Sequence, residues 1–346
     1  MSTLTEQGAE RLIADRAFAC TPPGFVGAAV DLALDRPVPP GPPVVALRRR
    51  PPLRHGFLTA RSPRVLVVSG PPSPGLDSCL ARMAEDLPMS RALLAGHGLT
   101  THEFTDGGPG SAAIRVGLEA GLEGGGPLGL HRRWALAHTV APVLAAAFAN
   151  SPLDRGRPSG WRSLRQAGRR TLPVLPDPAD PRAGWTAYVM DAPARGGRSF
   201  REWTRSADRP SGADLDRHLA GLRPPVAARG HLELDLADAQ PGAGWRVAVA
   251  VTATLLDDPR AATEAEAATR HFAYAKGVWE RAARAALTDP ELAVAARECF
   301  LAAYAALARQ GAARDLRDAV AGFTERYVLR GRCPADDLLE RTRQGV

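Results

Sequence analysis

The sequence predicts an α+β protein, and three observations lead there. Apolar or β-branched runs at residues 25 to 34, 64 to 69, 112 to 118, 229 to 238 and 245 to 252 read as strands and all precede residue 260. From about 260 to 345, Ala and Leu alternate with charged residues, as in a helical bundle. Strands first and helices last segregate the two element types, whereas βαβ units would interleave them.

Each element has a local reason. Ala9, Leu12, Ile13, Ala17 and Phe18 are helically spaced over residues 5 to 19, and Pro22-Pro23 stops that helix. A proline-rich loop (Pro37, Pro39, Pro40, Pro42, Pro43) separates strand 25 to 34 from Arg64-Val-Leu-Val-Val-Ser69, which ends at Pro71-Pro72. Residues 75 to 97 carry Leu76, Leu80, Met83, Leu87, Leu93 and Leu94, an amphipathic helix. Gly-rich stretches at 107 to 110 and 124 to 126 flank strand 112 to 118; neither has the Gly-Lys-Ser/Thr ending of a P-loop, so both read as loops. Residues 131 to 149 form the most apolar helix, followed by an arginine-rich loop to 170, a proline-punctuated region to about 211 and a short helix at 214 to 222. No internal repeat is present.

Composition narrows the function. No apolar run approaches the ~20 residues of a membrane-spanning helix, and the N-terminus has no signal-peptide pattern, so a cytoplasmic protein with no membrane partner is expected. Cys20, Cys79, Cys299 and Cys333 lack disulfide or zinc spacing and read as reduced, structural thiols. The net charge is +7, almost all from arginine, since Lys276 is the single lysine. The arginines are interleaved with Asp and Glu and aromatics are 5%, which argues against nucleic acid and for a solvated basic surface, the clusters Arg48-Arg49-Arg50 and Arg162 to Arg170 included.

Several motifs in order carry a resemblance: His131-Arg-Arg-Trp-Ala-Leu-Ala-His138, Phe148-Ala-Asn-Ser-Pro152, Gly156-Arg-Pro-Ser-Gly-Trp-Arg-Ser-Leu-Arg-Gln166, Arg229-Gly-His-Leu-Glu-Leu234, Asp238-Ala-Gln-Pro241 and Arg330-Gly-Arg-Cys-Pro-Ala-Asp-Asp337. Together they resemble the actinobacterial glutamate-cysteine ligases of the ergothioneine pathway over most of residues 130 to 337. The resemblance implies a single domain over 1-346 with a glutamine-synthetase-like curved antiparallel sheet holding Mg-ATP, glutamate and cysteine. Its parts would be a degenerate 1-130, a substrate-pocket part 131-259 and a helical 260-346.

The N-terminal third departs from that family. Ala29 and Asp31 stand where its first strand has glutamates, Arg61 and Val67 where a later stretch has glutamates, Arg115 and Gly117 where it has Gln and Asn, and Asp235 where it has Arg. Two carboxylates lost and an arginine gained shift the cradle by about three charges, and a unit charge at ~4 Å is worth around 4 kcal/mol at an effective dielectric of 20. The expectation is therefore no Mg-ATP and no metal, with Mg-ATP retained only if the ordinary ligase reading holds.

The residues matching the family's substrate cradle remain, and arginine forks suit carboxylates. The expected substrate-binding set is Trp161, Arg162, Ser163, Arg165, Arg229, Arg115 and Arg61, for a small molecule with a carboxylate or amino-acid moiety. The expected proton carriers are His231, Glu233, Asp235 and Asp31. Alternation puts His231, Glu233 and Asp235 on one strand face, which fits either chemistry or the solvent side of an antiparallel strand. Asp31 reads as a former metal ligand or a buried partner of Arg61, His138 as a core histidine, His131 as solvated, and Cys333 as a packing residue. Three functions stay open: an ATP-independent enzyme of specialised metabolism using acid-base chemistry, an ordinary glutamate-cysteine ligase, and a non-catalytic binding or regulatory protein.

Overall fold

A computed structural model describes residues 3–19, 24–39, 51–102, 111–124, 126, 128–171 and 180–344. Cys20, Pro22, Pro23, Pro40, Pro42, Pro43, Arg48 to Arg50 and the Gly107 to Gly110 stretch lie outside the described residues. Ten strands occur among the described residues: β1 (Phe25–Leu34), β2 (Phe57–Ser62), β3 (Val65–Ser69), β4 (Ser73–Pro74), β5 (Thr101–His102), β6 (Ala113–Leu118), β7 (Leu153–Asp154), β8 (Arg157–Pro158), β9 (Val226–Ala228) and β10 (Leu232–Asp238). Eight form one sheet in the order β2-β3-β1-β6-β10-β9, with β4 and β5 also pairing β1, while β7 and β8 make a separate hairpin. Every pairing is antiparallel. The α+β class holds.

Helices Glu6–Ala17, Leu76–Gly96, Leu130–Ala147 and Gly212–Gly221 fall where periodicity predicts them, and the chain beyond Pro259 is helical to Gln344. Many start signals are explicit. Asp180, Asp258 and Asp289 each precede a proline at the first helical position and accept hydrogen bonds from the first-turn amides. Ser199 and Ser211 form capping boxes with Glu202 and Asp214.

Three expectations need correction. Residues 245 to 252 are not a strand but part of the helix Gly244–Asp257. The run Val-Ala-Val-Ala-Val imitates strand alternation, but here the small and large residues alike are buried, so alternation carries no face information and the alanines favour helix. The 229 to 238 strand begins at Leu232, because Arg229 to His231 form the turn of the β9–β10 hairpin. Gly230 takes φ +79 there, a left-handed conformation that costs glycine little. The 151 to 170 loop contains the β7–β8 hairpin and the short helix Leu164–Ala167, and the region before 211 contains helices Pro181–Asp191 and Phe200–Arg205.

One continuous apolar core joins the inner sheet face to the helices. His138 belongs to it: its ring meets Trp134 edge-on at 4.5 Å, and its Nε2 is buried without a hydrogen-bond partner. Burial holds its pKa down to about 4, from an ordinary 6.5. Between these values the unfolded chain binds the proton and the folded chain does not, so stability falls as pH falls. This group alone is expected to remove about 3 kcal/mol between pH 7 and pH 4. His138→Phe should flatten the pH dependence of the urea midpoint over that window, and an unchanged slope would contradict the assignment.

Candidate functional site

The sheet's second face carries the charged residues. Along β1, Val30 and Leu32 enter the core against the helices, so alternation turns Ala29 and Asp31 the other way. Arg115 is opposite Ala29, Val67 is opposite Asp31, and Gly117 is opposite both Gly27 and Glu233. Directly opposed residues of antiparallel strands share a face, which brings Asp31, Arg115 and Glu233 together.

Two bulges enlarge that set. The β2–β3 register shifts between Ala60 and Ser62, leaving Arg61 as the extra residue, and its guanidinium reaches Asp31. The β10–β6 register shifts between Leu234 and Ala237, so Asp235 and Leu236 together stand against Arg115. The shift changes the strand's parity. Asp238, opposite Ala113, therefore rejoins the face that Glu233 occupies.

These charges neutralise one another in a buried network. Asp31 accepts from Arg61 Nη1 at 2.5 Å, from Arg115 Nη2 at 2.6 Å and Nη1 at 3.2 Å, and from the Ala113 amide at 3.2 Å. Asp235 accepts from Arg165 Nη1 at 2.6 Å and from Arg169. Asp238 accepts from Arg165 Nε at 2.7 Å, Ser163 Oγ at 3.1 Å, Ser151 Oγ at 2.8 Å and the Asn150 amide at 2.7 Å. Burial alone would raise the Asp235 carboxyl, but Arg169, Arg165, Arg115 and Arg61 outweigh it and hold it well below the usual carboxylate range. Burial likewise opposes the charge on Arg115, yet Asp31, Asp235 and Glu233 raise its pKa overall.

The structure thus brings Asp31, Arg61, Arg115, Arg165, Arg229, Glu233 and Asp235 to one region. Asp31 is the buried partner of Arg61. Arg165 spends Nε, Nη1 and Nη2 on Asp238, Asp235 and the Leu236 carbonyl. Arg229 spends its nitrogens on Glu233 and on the Leu219 and Leu222 carbonyls. Ser163 caps the helix Leu164–Ala167 while donating to Asp238. Trp161 and Arg162 go elsewhere: Arg284 lies over the Trp161 ring, and Arg162 pairs with Asp336 at 2.7 Å.

His231 is set apart from these pairs. Its ring meets Phe25 edge-on at 5.7 Å and covers Gly117, where a Cβ would sit 3.0 Å from Nε2. Burial lowers its pKa, against the opposing pull of Glu233, so the imidazole is neutral near pH 7 and can accept a proton.

Sequence reasoning misses Arg169 and Asp238, and it treats the Arg162 to Arg170 cluster as solvated. That is corrected for Arg165 and Arg169, which are 2% and 9% exposed. Their four-residue spacing on a helical segment is the signal that could have paired them. Asp238 escapes because the bulge breaks the alternation rule. Cys79, Cys299 and Cys333 are buried free thiols, as expected. No helix among the described residues is long and apolar enough to cross a membrane.

An antiparallel sheet with helices on one face and a buried arginine–carboxylate cluster on the other defines an α+β protein. The chain belongs to glutamate-cysteine ligase family 2, whose profile matches residues 110–346. It is 38% identical over 254 residues to the glutamate–cysteine ligase EgtA of Mycolicibacterium smegmatis, covering 67% of this chain and 57% of that protein. It is 32% identical over 354 residues to EgtA of Mycobacterium tuberculosis, covering 85% of this chain and 79% of that protein. A chloroplastic glutamate–cysteine ligase of Nicotiana tabacum matches at 28% over 140 residues, 33% of this chain and 26% of that protein.

Proposed function

We propose that this chain is a divergent member of its family, with the glutamine-synthetase-like fold, that binds an amino-acid-like or other carboxylate-bearing molecule at the sheet face and acts on it without Mg-ATP. The observation that carries the reading is the state of the carboxylates. A magnesium ion that bridges phosphates needs carboxylate oxygens directed at it. Here both oxygens of Asp31 are taken by Arg61 and Arg115, those of Asp235 by Arg165 and Arg169, and Glu233 is held by Arg229 at 2.6 Å. Among the described residues this donor set does not fit the metal.

What it fits is an anion. Arg61, Arg115, Arg165, Arg169, Arg223 and Arg229 face Asp31, Glu233, Asp235 and Asp238, six positive groups against four negative. The excess attracts a carboxylate into a partly desolvated site, where fixed positive groups also stabilise developing negative charge. In this reading His231 takes the proton, Glu233 favours the imidazolium that results, and Asp31 and Asp235 act by fixing their arginines.

A second reading is favoured by the family match over residues 110–346: an ordinary ligase joining glutamate to cysteine in ergothioneine biosynthesis. Calorimetry separates the two. L-glutamate is expected to bind without nucleotide, and a non-hydrolysable ATP analogue with magnesium to give no sub-millimolar binding. Tight analogue binding, or ADP release dependent on glutamate and cysteine, would return the ordinary ligase.

A further inference from the structure

The charged face leaves unexplained a cavity of about 460 Å³ at the other end of the Asp238 network. Its walls include Asn150, Arg326, Tyr327 and, from the C-terminal helix Pro334–Gln344, Asp337, Glu340 and Arg341. That volume lies within the range of small-ligand pockets. We propose that it is a second binding site, for a zwitterionic molecule of amino-acid or short-peptide size.

The chemistry of the walls supports both ends of such a ligand. Asp337, Glu340 and Arg341 fall three and four residues apart, which puts them on one side of their helix. Asp337 accepts from Arg326 at 2.6 Å, Tyr327 Oη at 2.8 Å and Arg332 at 3.1 Å, and Glu340 pairs with Arg332 at 2.8 Å. The acids are thus held back by Arg326, Tyr327 and Arg332, while Arg326 and Arg341 bring guanidinium groups to the wall, suited to a carboxylate.

The other end is argued from Asn150. Its Nδ2 donates to the Ala239 carbonyl at 2.7 Å, which fixes the orientation of the amide. Oδ1 is then a buried acceptor with no donor. Buried acceptors are nearly always paired, and because Asn150 lines the cavity, an ammonium or amide N–H bound there can supply the partner after a small shift of the side chain. The Asn150 backbone N–H donates to Asp238, so the cavity and the sheet face share one network while each has its own arginines.

The test is calorimetric titration of L-glutamate, L-glutamine and glycylglycine, with acetate and ethylammonium as half-ligands. At least one of the three is expected to bind in the millimolar range or better, with both half-ligands about tenfold weaker or more. Binding should weaken about tenfold in Arg341→Gln and in Arg326→Gln, both on the protein surface, as for loss of one charged hydrogen bond. The cavity event should persist in Arg229→Gln, where only the separate sheet-face binding of L-glutamate is expected to weaken, with the fold of every variant checked by circular dichroism. Absence of binding by all three, or binding indifferent to both cavity variants, overturns the proposal. Binding lost in Arg229→Gln but kept in Arg341→Gln and Arg326→Gln also overturns it, by moving the ligand to the sheet face.

Discussion

Asp235→Asn is expected to lower the unfolding free energy by about 3–5 kcal/mol, because removing one partner of a buried ion cluster leaves the others uncompensated. Asp235 is 2% exposed and holds both Arg165 and Arg169, themselves buried. The asparagine keeps the shape and loses the charge, so the loss reports electrostatics and not a cavity. Urea denaturation at pH 7 measures it, and a change under 1 kcal/mol would show that the cluster is solvated. The double variant Asp235→Asn/Arg169→Met should recover part of the loss, since contacting residues are non-additive. The wild-type contribution has a definite pH window. The folded carboxyl titrates well below its ordinary value of 3.8, so the stabilisation is complete above that value and is lost progressively as pH falls beneath it.

Asp31→Asn is expected to cost a similar amount, about 3–5 kcal/mol, by leaving Arg61 and Arg115 without their shared counter-charge. The Asp31 side chain is 0% exposed, against 14% and 11% for the two arginines. This variant carries a second signature that Asp235→Asn lacks. With the internal anion gone, two guanidiniums at the edge of solvent should accept an external one, so sulfate should raise the midpoint of the variant well above its effect on wild type, by mass action. A variant that loses stability without regaining it in sulfate would mean that the arginines have repacked and that the face does not bind anions. A variant that loses none would mean that Asp31 is dispensable to the network.

Much of the site was legible in the chain. Asp31, Arg61, Arg115, Arg165, Arg229, Glu233 and Asp235 of the sheet face were named from motif positions, while Arg169, Arg223 and Asp238 were not, and the exchange of a metal-binding glutamate for Arg61 pointed to the Asp31–Arg61 pair that the fold contains. Legibility failed where a local rule was interrupted. Val247, Val249 and Val251 alternate with alanine like a strand and lie in a helix, because a segment buried on all sides shows no period. Arg165 and Arg169 sit in a polar stretch that reads as surface, and only partners about 70 residues further along the chain make their burial tolerable.

The sequence by itself determined the family, the identity of most helices, the core strands and which residue types meet on the charged face. These follow from side-chain period, helix caps and motif order, each encoded within a few residues of the chain. The tertiary structure alone decided the two bulges, and through them that Arg61 turns onto Asp31 and that Asp235 and Asp238 both engage Arg165. The physical reason is that a buried charge is stable only beside its partner, and which partner comes within hydrogen-bond reach depends on strand register and on the packing of a distant helix.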